Sequence, residues 1–323
     1  MTSPGKRGID GHGESPPRGR RVVSADAVAA TRAAMERLLA LEHVEATGSW
    51  TELPHGRAFH LESGSGEPLL LLQGAGGGAG NWYRLIRPLA RLRTVYVPEL
   101  PGFGISDPIV PRAPLGLHAA AVMAQWLDAN LGDRPVDLLG TSFGGLVALR
   151  LAQIAPARIR RIVLLNAAGL GRGIAMPLRI AGIPVARHMV SSPSRRGTAL
   201  LFRGLLTSDR SQIPSLQQES LIDYMWISAR GGAGTELSHA LGLFAGIRGQ
   251  AEVLRLRELN TIRPRVLIVW GGADRFLPPR HGPRAAAAMP DAVSLSLPGV
   301  GHSPNWEAPG AVIDAVQPFL DVP

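Results

Sequence analysis

The chain has 323 residues, of which 45% are hydrophobic and 18% are charged, a balance typical of a globular protein with a buried core. It contains no cysteine, which excludes disulfides, a cysteine nucleophile and cysteine-bound metal clusters. The formal net charge of +9 comes from scattered arginines, and only 5% of the residues are aromatic, so we predict no nucleic-acid partner. No apolar run approaches the roughly 20 residues that span a bilayer, so we predict no membrane partner and a cytoplasmic protein.

The first half of the chain is predicted to alternate strands and helices after a disordered N-terminal tail. Residues 1–23 are rich in Gly, Pro and Arg and lack apolar periodicity. A helix is predicted over residues 24–43, with Ser24 as its N-cap and Asp26 in its first turn. Further strands are predicted at 57–61, 69–72, 94–97, 136–139 and 159–165, and further helices at 81–92, 117–131 and 143–154.

Residues 168–255 interrupt this alternation, because they contain helical and loop patterns but no convincing strand. Such alternation favours an α/β fold in which a mostly parallel sheet carries helices on both faces. The predicted organisation is a core formed by residues 24–167 and 256–323, with residues 168–255 inserted as a helical cap. In the last part of the core, strands are predicted at 266–270 and 293–297, and helices at 283–289 and 308–320.

The sharpest chemical signal is Gly140-Thr141-Ser142-Phe143-Gly144, at the junction of a predicted strand and a predicted helix. A sharp turn of this kind exposes the serine hydroxyl at the carboxyl edge of the sheet, and its crowded backbone requires small residues two before and two after the serine. The helix that begins behind the serine favours developing negative charge. Ser142 is therefore the predicted nucleophile; the alternative is a glycine-rich turn with a capping serine.

A serine hydroxyl is a weak nucleophile without a base, and the sequence offers His302 for that role. Of the nine histidines, only His302 lies in a loop between the last predicted strand and the last predicted helix. Asp274 follows another predicted strand and could accept the second ring N–H of His302, which would fix its tautomer. The alternatives are a surface histidine and a turn-forming aspartate.

The glycine-rich stretch at residues 73–80 follows a predicted strand and can bring a backbone N–H close to the nucleophile. Ala75 or Gly76 would supply one N–H to a developing oxyanion, and Phe143, just after the nucleophile, would supply another. These three residues are the predicted oxyanion hole.

A dinucleotide site is the competing interpretation of the same stretch. Gly74, Gly76 and Ala79 match the glycine fingerprint of such sites, and Glu99 ends the next predicted strand, where an acidic residue would hold a ribose. The predicted serine, histidine and aspartate favour the oxyanion interpretation instead.

The chain resembles an α/β-hydrolase with a helical cap over roughly residues 57–320, and more loosely the meta-cleavage product hydrolases, which cleave C–C bonds in vinylogous β-keto acids. Three positions depart from the patterns of these families. Gln73 stands where histidine is usual, Glu99 where aspartate is usual, and Thr141 where the C–C hydrolases usually carry asparagine. The features that carry the resemblance are residues 74–80, Pro101-Gly102-Phe103-Gly104, Asp274-Arg275-Phe276-Leu277-Pro278, Gly301-His302 followed by Trp306-Glu307, and the chain order Ser142, Asp274, His302.

Substrate contacts are predicted at Thr141 beside the nucleophile, at Trp306 after the histidine, and at Trp226 in the cap. The cap is rich in Met and aromatic residues, which suit a hydrophobic substrate, although packing within the cap is the alternative for each of them. An arginine that faces inward could clamp a substrate carboxylate. The candidates for this clamp are Arg172, Arg179, Arg187, Arg203 and Arg230.

We expect a serine hydrolase that acts on a hydrophobic small molecule, an ester, thioester or lactone, through an acyl-enzyme. C–C bond hydrolysis of a meta-cleavage-type diketo acid is the second expectation, and the third is a non-hydrolytic lyase, acyltransferase or ligand-binding role. No metal is expected, because histidine pairs with ligand spacing are absent from the sequence, and no cofactor is needed for these reactions. A homodimer is one assembly that the sequence allows.

Overall fold

The computed structural model describes residues 23–110, 112–181, 194–233, 245–246 and 248–321. Except for Val23, the predicted N-terminal tail lies outside these residues. Within the described ranges, no helix is both long and apolar enough to cross a membrane.

An eight-stranded sheet forms the centre of the described structure. In spatial order its strands are β1 (Thr47–Leu53), β2 (Gly56–Ser63), β4 (Arg93–Pro98), β3 (Glu67–Leu72), β5 (Val136–Thr141), β6 (Ile159–Leu165), β9 (Arg265–Gly271) and β10 (Ala292–Leu297). Strands β3, β4, β5, β6, β9 and β10 pair in parallel, whereas β1 and β2 are antiparallel additions at one edge. The predicted mostly parallel α/β sheet is thus confirmed.

Helices cover both faces of the sheet. Between β6 and β9 the chain forms helices and one very short hairpin of β7 (Ala245–Gly246) and β8 (Gly249–Gln250). The helices are α1 (Ala25–Leu41), α2 (Tyr83–Leu89), α3 (Leu115–Leu131), α4 (Phe143–Ile154), α5 (Met176–Ala181), α6 (Arg195–Leu201), α7 (Ser215–Ser228), α8 (Leu256–Leu259), α9 (His281–Ala286), α10 (Pro304–Glu307) and α11 (Pro309–Asp321). Shorter turns are the 3₁₀ segments Ala79–Trp82 and Pro156–Arg158 and the π-helical segments Phe202–Leu206 and Ala229–Ala233.

Strand β3 shows how the sheet is buried on both sides. Its four leucines are all fully buried, and successive side chains point to opposite faces of the strand. Leu70 and Leu72 pack with α3 and α4, whereas Leu69 and Leu71 pack with α1, α2 and α11. Each such burial contributes about 1.5–3 kcal/mol, so the apolar run holds two separate helix layers against one strand.

Two strand predictions need correction. The sequence pattern misses β1, because this edge strand exposes Thr47 and Gly48 and mixes polar with apolar residues, which hides its alternation. The expectation of no strand within residues 168–255 is also wrong in one detail, since β7 and β8 lie there. Two residues per strand are too few for a periodic pattern to reveal.

The segment predicted as the cap is packed onto the rest of the molecule at several points. Tyr224 of α7 is fully buried in the same apolar cluster as Met35 and Leu38 of α1. At the two ends of the segment, Leu170 and Leu254 belong to the cluster around α3 and α4. Helices α1 and α7 therefore share one apolar layer on the face of the sheet that α1 covers.

Candidate active site

Ser142 sits in a sharp turn between β5 and α4, with φ of 50° and ψ of −118°. A non-glycine residue in this region costs about 1–3 kcal/mol, so the surrounding backbone must impose it. A Cβ added to Gly140 would lie 2.5 Å from the Gly144 carbonyl oxygen, and one added to Gly144 would lie 2.0 Å from that of Leu72. The two glycines are therefore required by backbone crowding, as the sequence pattern predicts.

The structure brings the three predicted triad residues into one hydrogen-bonded row. His302 Nε2 lies 3.1 Å from Ser142 Oγ, and His302 Nδ1 lies 2.9 Å from Asp274 Oδ2. The ring of Phe276 stacks on the imidazole at a centroid distance of 4.3 Å and an angle of 17°. His302 is 4% exposed, so its orientation is fixed on both ring nitrogens and on one face.

Asp274 receives hydrogen bonds on both of its carboxylate oxygens. Oδ1 accepts from the backbone N–H groups of Phe276 (2.7 Å) and Leu277 (2.9 Å), and Oδ2 accepts from Asn166 Nδ2 (2.6 Å) besides His302. Burial alone would raise the pKa of Asp274, but His302 and these N–H donors outweigh it and hold the pKa below its ordinary value. The carboxylate is therefore ionised beside the imidazole.

Asn166 is a member of the site that sequence analysis missed. It follows β6, has φ of 44°, and is fully buried. Its amide N–H₂ also donates to the Gly301 carbonyl (3.1 Å), and its oxygen accepts from Gly271 N–H (3.0 Å). Asn166 therefore links the ends of β6 and β9 to the histidine loop. Its position directly after an apolar strand, comparable to that of Asp274 three residues after β9, is the one signal in the sequence.

The glycine-rich loop approaches the serine as predicted, with Gly74 as the residue in contact. A Cβ added to Gly74 would lie 3.2 Å from Ser142 Cβ and 3.8 Å from Ser142 Oγ. Ala75 and Gly76 follow directly in a turn in which Gly76 has φ of 76°. Phe143 begins α4 immediately after the serine. The oxyanion role of these three residues stays a prediction.

The same loop is bonded to Glu99 and to Tyr224 of α7. Glu99 Oε1 accepts from Ala79 N–H (3.0 Å) and Oε2 from Ile105 N–H (2.6 Å), while Tyr224 Oη accepts from Gly80 N–H (3.2 Å). Complete burial raises the pKa of Glu99 to about 7, although the N–H donors partly offset it. A carboxylate enclosed in this way cannot reach a ribose, which argues against the dinucleotide interpretation.

Gln73, which departs from the family pattern, has its amide bonded to the backbone around the end of β4. With its amide oriented to satisfy both groups, the nitrogen donates to the Pro98 carbonyl (3.0 Å) and the oxygen accepts from Leu100 N–H (2.7 Å). Gln73 thus ties the start of the glycine loop to the end of β4.

The predicted substrate contacts differ in their surroundings. Thr141 ends β5 directly before Ser142 and is 8% exposed. Trp306 is buried, and its indole N–H donates to the Asn81 carbonyl (2.8 Å), so that polar group is already occupied. Trp226 of α7 is half-buried beneath the Arg230 guanidinium, at 5.3 Å from the ring centroid. Substrate contact stays a prediction for all three.

Four of the five arginines that are candidates for binding a substrate carboxylate lie in the described residues. Arg179 donates to the Ile174 carbonyl (3.2 Å), and Arg203 pairs with Glu219 (3.0 Å). Arg172, Arg203 and Arg230 have exposed side chains, and Arg187 lies outside the described residues. None of the four described arginines makes a hydrogen bond to the triad.

Comparison with known proteins places the chain among hydrolases. The profile of the family described as alpha/beta hydrolase fold matches residues 67–309. A 2-hydroxy-6-oxo-6-phenylhexa-2,4-dienoate hydrolase from Burkholderia cepacia is 32% identical over 254 residues, which cover 77% of this chain and 86% of that protein.

Two solved structures show the same fold. A carboxylesterase from Bacillus subtilis superposes with a TM-score of 0.74 at 20% identity, covering 92% of this chain and 99% of that one. A 2-hydroxy-6-oxo-6-phenylhexa-2,4-dienoate hydrolase from Rhodococcus sp. strain RHA1 superposes with a TM-score of 0.72 at 22% identity, covering 86% of this chain and 98% of that one.

Proposed function

The chain belongs to the α/β-hydrolase family, and from that premise we propose that it is a serine hydrolase that cleaves a hydrophobic ester, thioester or lactone through an acyl-enzyme on Ser142. The observation that carries the proposal is the row of hydrogen bonds from Ser142 Oγ to His302 Nε2 and from His302 Nδ1 to Asp274 Oδ2, at 3.1 and 2.9 Å. An ionised Asp274 keeps the proton of His302 on Nδ1, so Nε2 is left as the base facing the serine.

The reaction follows from this arrangement in two halves. His302 Nε2 removes the proton of Ser142 Oγ as the oxygen attacks the substrate carbonyl carbon, and the backbone N–H groups predicted at Ala75 or Gly76 and at Phe143 receive the oxyanion. The imidazolium then gives its proton to the leaving alcohol or thiol, and the acyl-enzyme remains. In the second half, water loses a proton to Nε2 and attacks the same carbon, and Ser142 Oγ leaves with that proton.

Two features favour simple acyl transfer over C–C cleavage. Thr141 offers one hydroxyl and a short reach, whereas an amide could bridge a second substrate oxygen while a diketo acid changes tautomer. A diketo acid is also an anion, and three of the cap arginines, Arg172, Arg203 and Arg230, are exposed. An uncharged ester needs neither an amide that bridges a second oxygen nor an arginine that binds a carboxylate.

C–C hydrolysis is the second candidate, because the relative from Burkholderia cepacia, at 32% identity, is named as a hydrolase of a 2-hydroxy-6-oxo-dienoate. The two reactions share Ser142, His302 and Asp274, so the triad does not separate them. The two reactions differ in whether the site must bind a second carbonyl and a carboxylate of the substrate.

Steady-state kinetics on both substrate classes test the proposal. A panel of chromogenic esters of increasing acyl length is compared with vinylogous diketo acids, using the wild type and Ser142→Ala. We expect turnover of apolar esters that is lost in Ser142→Ala, and poor turnover of the diketo acids. A kcat/KM for a diketo acid about 100-fold above the best ester, nearly 3 kcal/mol of transition-state preference, would reverse the order of the two reactions and leave the triad in its roles.

A further inference from the structure

Glu307 is a buried carboxylate that binds the backbone on both sides of His302. It ends the short helix α10 and is 2% exposed. Its Oε1 accepts from Gly301 N–H at 3.0 Å and from Ser303 N–H at 3.4 Å, and its Oε2 lies 3.1 Å from the same Gly301 nitrogen. The residues directly before and after His302 are thus held by one side chain.

The other side of the same carboxylate binds the cap. Oε2 accepts from the N–H groups of Ser208 (2.7 Å) and Asp209 (2.9 Å), which lie 99 and 98 residues earlier in the chain. The hydroxyl of Ser208 donates to the carbonyl of Ala273, the residue before Asp274, at 2.9 Å. The turn at residues 208–209 therefore touches both loops that carry the base and its acid partner.

The contact between this turn and the histidine loop is close enough to require glycine. A Cβ added to Gly301 would lie 2.7 Å from Ser208 N and 2.8 Å from Glu307 Oε1. Four backbone donors thus converge on two oxygens, which only a carboxylate can accept together. Burial raises the pKa of Glu307 above its ordinary value, and the four N–H groups of Ser208, Asp209, Gly301 and Ser303 oppose that rise.

We propose that Glu307 is the positioning residue that sets the distance between His302 Nε2 and Ser142 Oγ. Its carboxylate does so by accepting hydrogen bonds from the histidine loop and from the cap turn at residues 208–209 at the same time. This inference rests on the proposed function, because it assigns Glu307 an effect on the base of that reaction. Glu307 does not itself reach the reacting atoms; it acts through the backbone of Gly301 and Ser303.

The expected effect is large because the base works over a narrow range of distance. A displacement of about 1 Å in a reacting group costs roughly 100-fold in rate. In Glu307→Gln the amide nitrogen must face N–H donors on one side, so either the histidine loop or the cap turn loses its acceptor. The loop then relaxes, while Ser142, Asp274 and the glycine loop keep their own contacts.

Glu252→Gln is the matched control. Glu252 is also a buried carboxylate, 7% exposed, and it also accepts a backbone N–H, from Gly116 at 2.6 Å, together with Arg150 Nε at 2.8 Å. It makes no hydrogen bond to the loops of His302 or Asp274 within the described residues. Its substitution therefore reports the general cost of neutralising a buried acid.

The experiment measures kcat, KM, the rate of serine labelling by a fluorophosphonate probe and the thermal midpoint for wild type, Glu307→Gln and Glu252→Gln. We expect Glu307→Gln to lower kcat and the labelling rate together by about 10- to 100-fold, with KM changed less than about threefold. Glu252→Gln should lower only the thermal midpoint. A folded Glu307→Gln with wild-type kcat and labelling rate would overturn the inference, and so would equal losses of kcat in both variants.

Failure of the proposed function shows itself separately. If wild-type protein is neither labelled at Ser142 nor active on esters, the triad proposal fails before Glu307 is considered. If Glu307→Gln does not fold, Glu307→Asp replaces it, because the shorter carboxylate reaches one of the two loops but not both. The same joint loss of kcat and labelling rate is expected there, and wild-type values in folded Glu307→Asp would equally overturn the inference.

Discussion

Replacing Asp274 by asparagine should nearly abolish activity, and the hydrogen bonds around Asp274 dictate how. The Oδ1 position faces two backbone N–H groups, those of Phe276 and Leu277, so the asparagine oxygen must occupy it. The amide nitrogen then takes the Oδ2 position, where it faces His302 Nδ1 and the amide nitrogen of Asn166 at 2.6 Å.

The consequence is a change of tautomer at the histidine. An amide N–H donating to Nδ1 makes Nδ1 the acceptor and puts the imidazole proton on Nε2, so His302 can no longer accept the proton of Ser142. The expected loss in kcat is about 10⁴-fold. The opposed amide groups of Asp274→Asn and Asn166 should also destabilise the fold by about 1–3 kcal/mol.

The assay is single-substrate ester kinetics with denaturant unfolding of the same preparations. Asp137→Asn is the control, because Asp137 is fully buried near the other end of β5, paired with Arg93 at 2.9 Å, and roughly 17 Å along the strand from Ser142. It should lose stability and keep its kcat per folded molecule. A folded Asp274→Asn within about 10-fold of the wild-type kcat would refute the tautomer argument.

Three further predictions concern the fold around the site. The pKa of Glu99 rises from 4.5 in the unfolded chain to about 7 in the folded protein, so between these pH values the folded state holds a proton that the unfolded state has lost. The free energy of unfolding should therefore fall by up to about 3 kcal/mol as pH rises through that window. Urea unfolding of Glu99→Gln should show a flatter pH dependence than wild type, and an unchanged slope would contradict the assignment. Tyr224→Phe leaves the glycine-loop N–H without its acceptor and should cost about 1–3 kcal/mol in unfolding free energy, with no change as the opposing result. Gly144→Ala places a methyl group 2.0 Å from the Leu72 carbonyl and should prevent folding, whereas Gly310→Ala, with nothing within 4 Å, should fold normally; soluble, active Gly144→Ala would speak against the crowded turn.

Much of the core was predictable because its signals are local. Helix α4 and strand β6 begin and end where the sequence pattern predicts, since Gly140–Gly144 and Pro156 mark their boundaries. The three residues of the proposed triad were equally predictable, because each lies within five residues after the end of a strand and a parallel sheet gathers those ends at one edge. Strand β1 was not predicted, because an edge strand with many polar residues shows no clear alternation of polar and apolar side chains.

The supporting residues were not predictable from local patterns. Asn166 bonds to Asp274 across 108 residues, and Glu307 bonds to Ser208 across 99. Sequence spacing carries no information on such contacts until the strands are ordered in space. For the same reason, the pattern that suggests Trp306 as a substrate contact could not reveal that Asn81 occupies its indole N–H.

Mass spectrometry of the covalently labelled protein tests most directly whether Ser142 is a nucleophile activated by His302. Wild-type protein treated with a fluorophosphonate probe should gain one adduct, which peptide mapping should place on Ser142, and His302→Ala should label on the order of 100-fold more slowly or not at all. An adduct on another residue, or labelling of Ser142 that is equally fast without His302, would contradict the account.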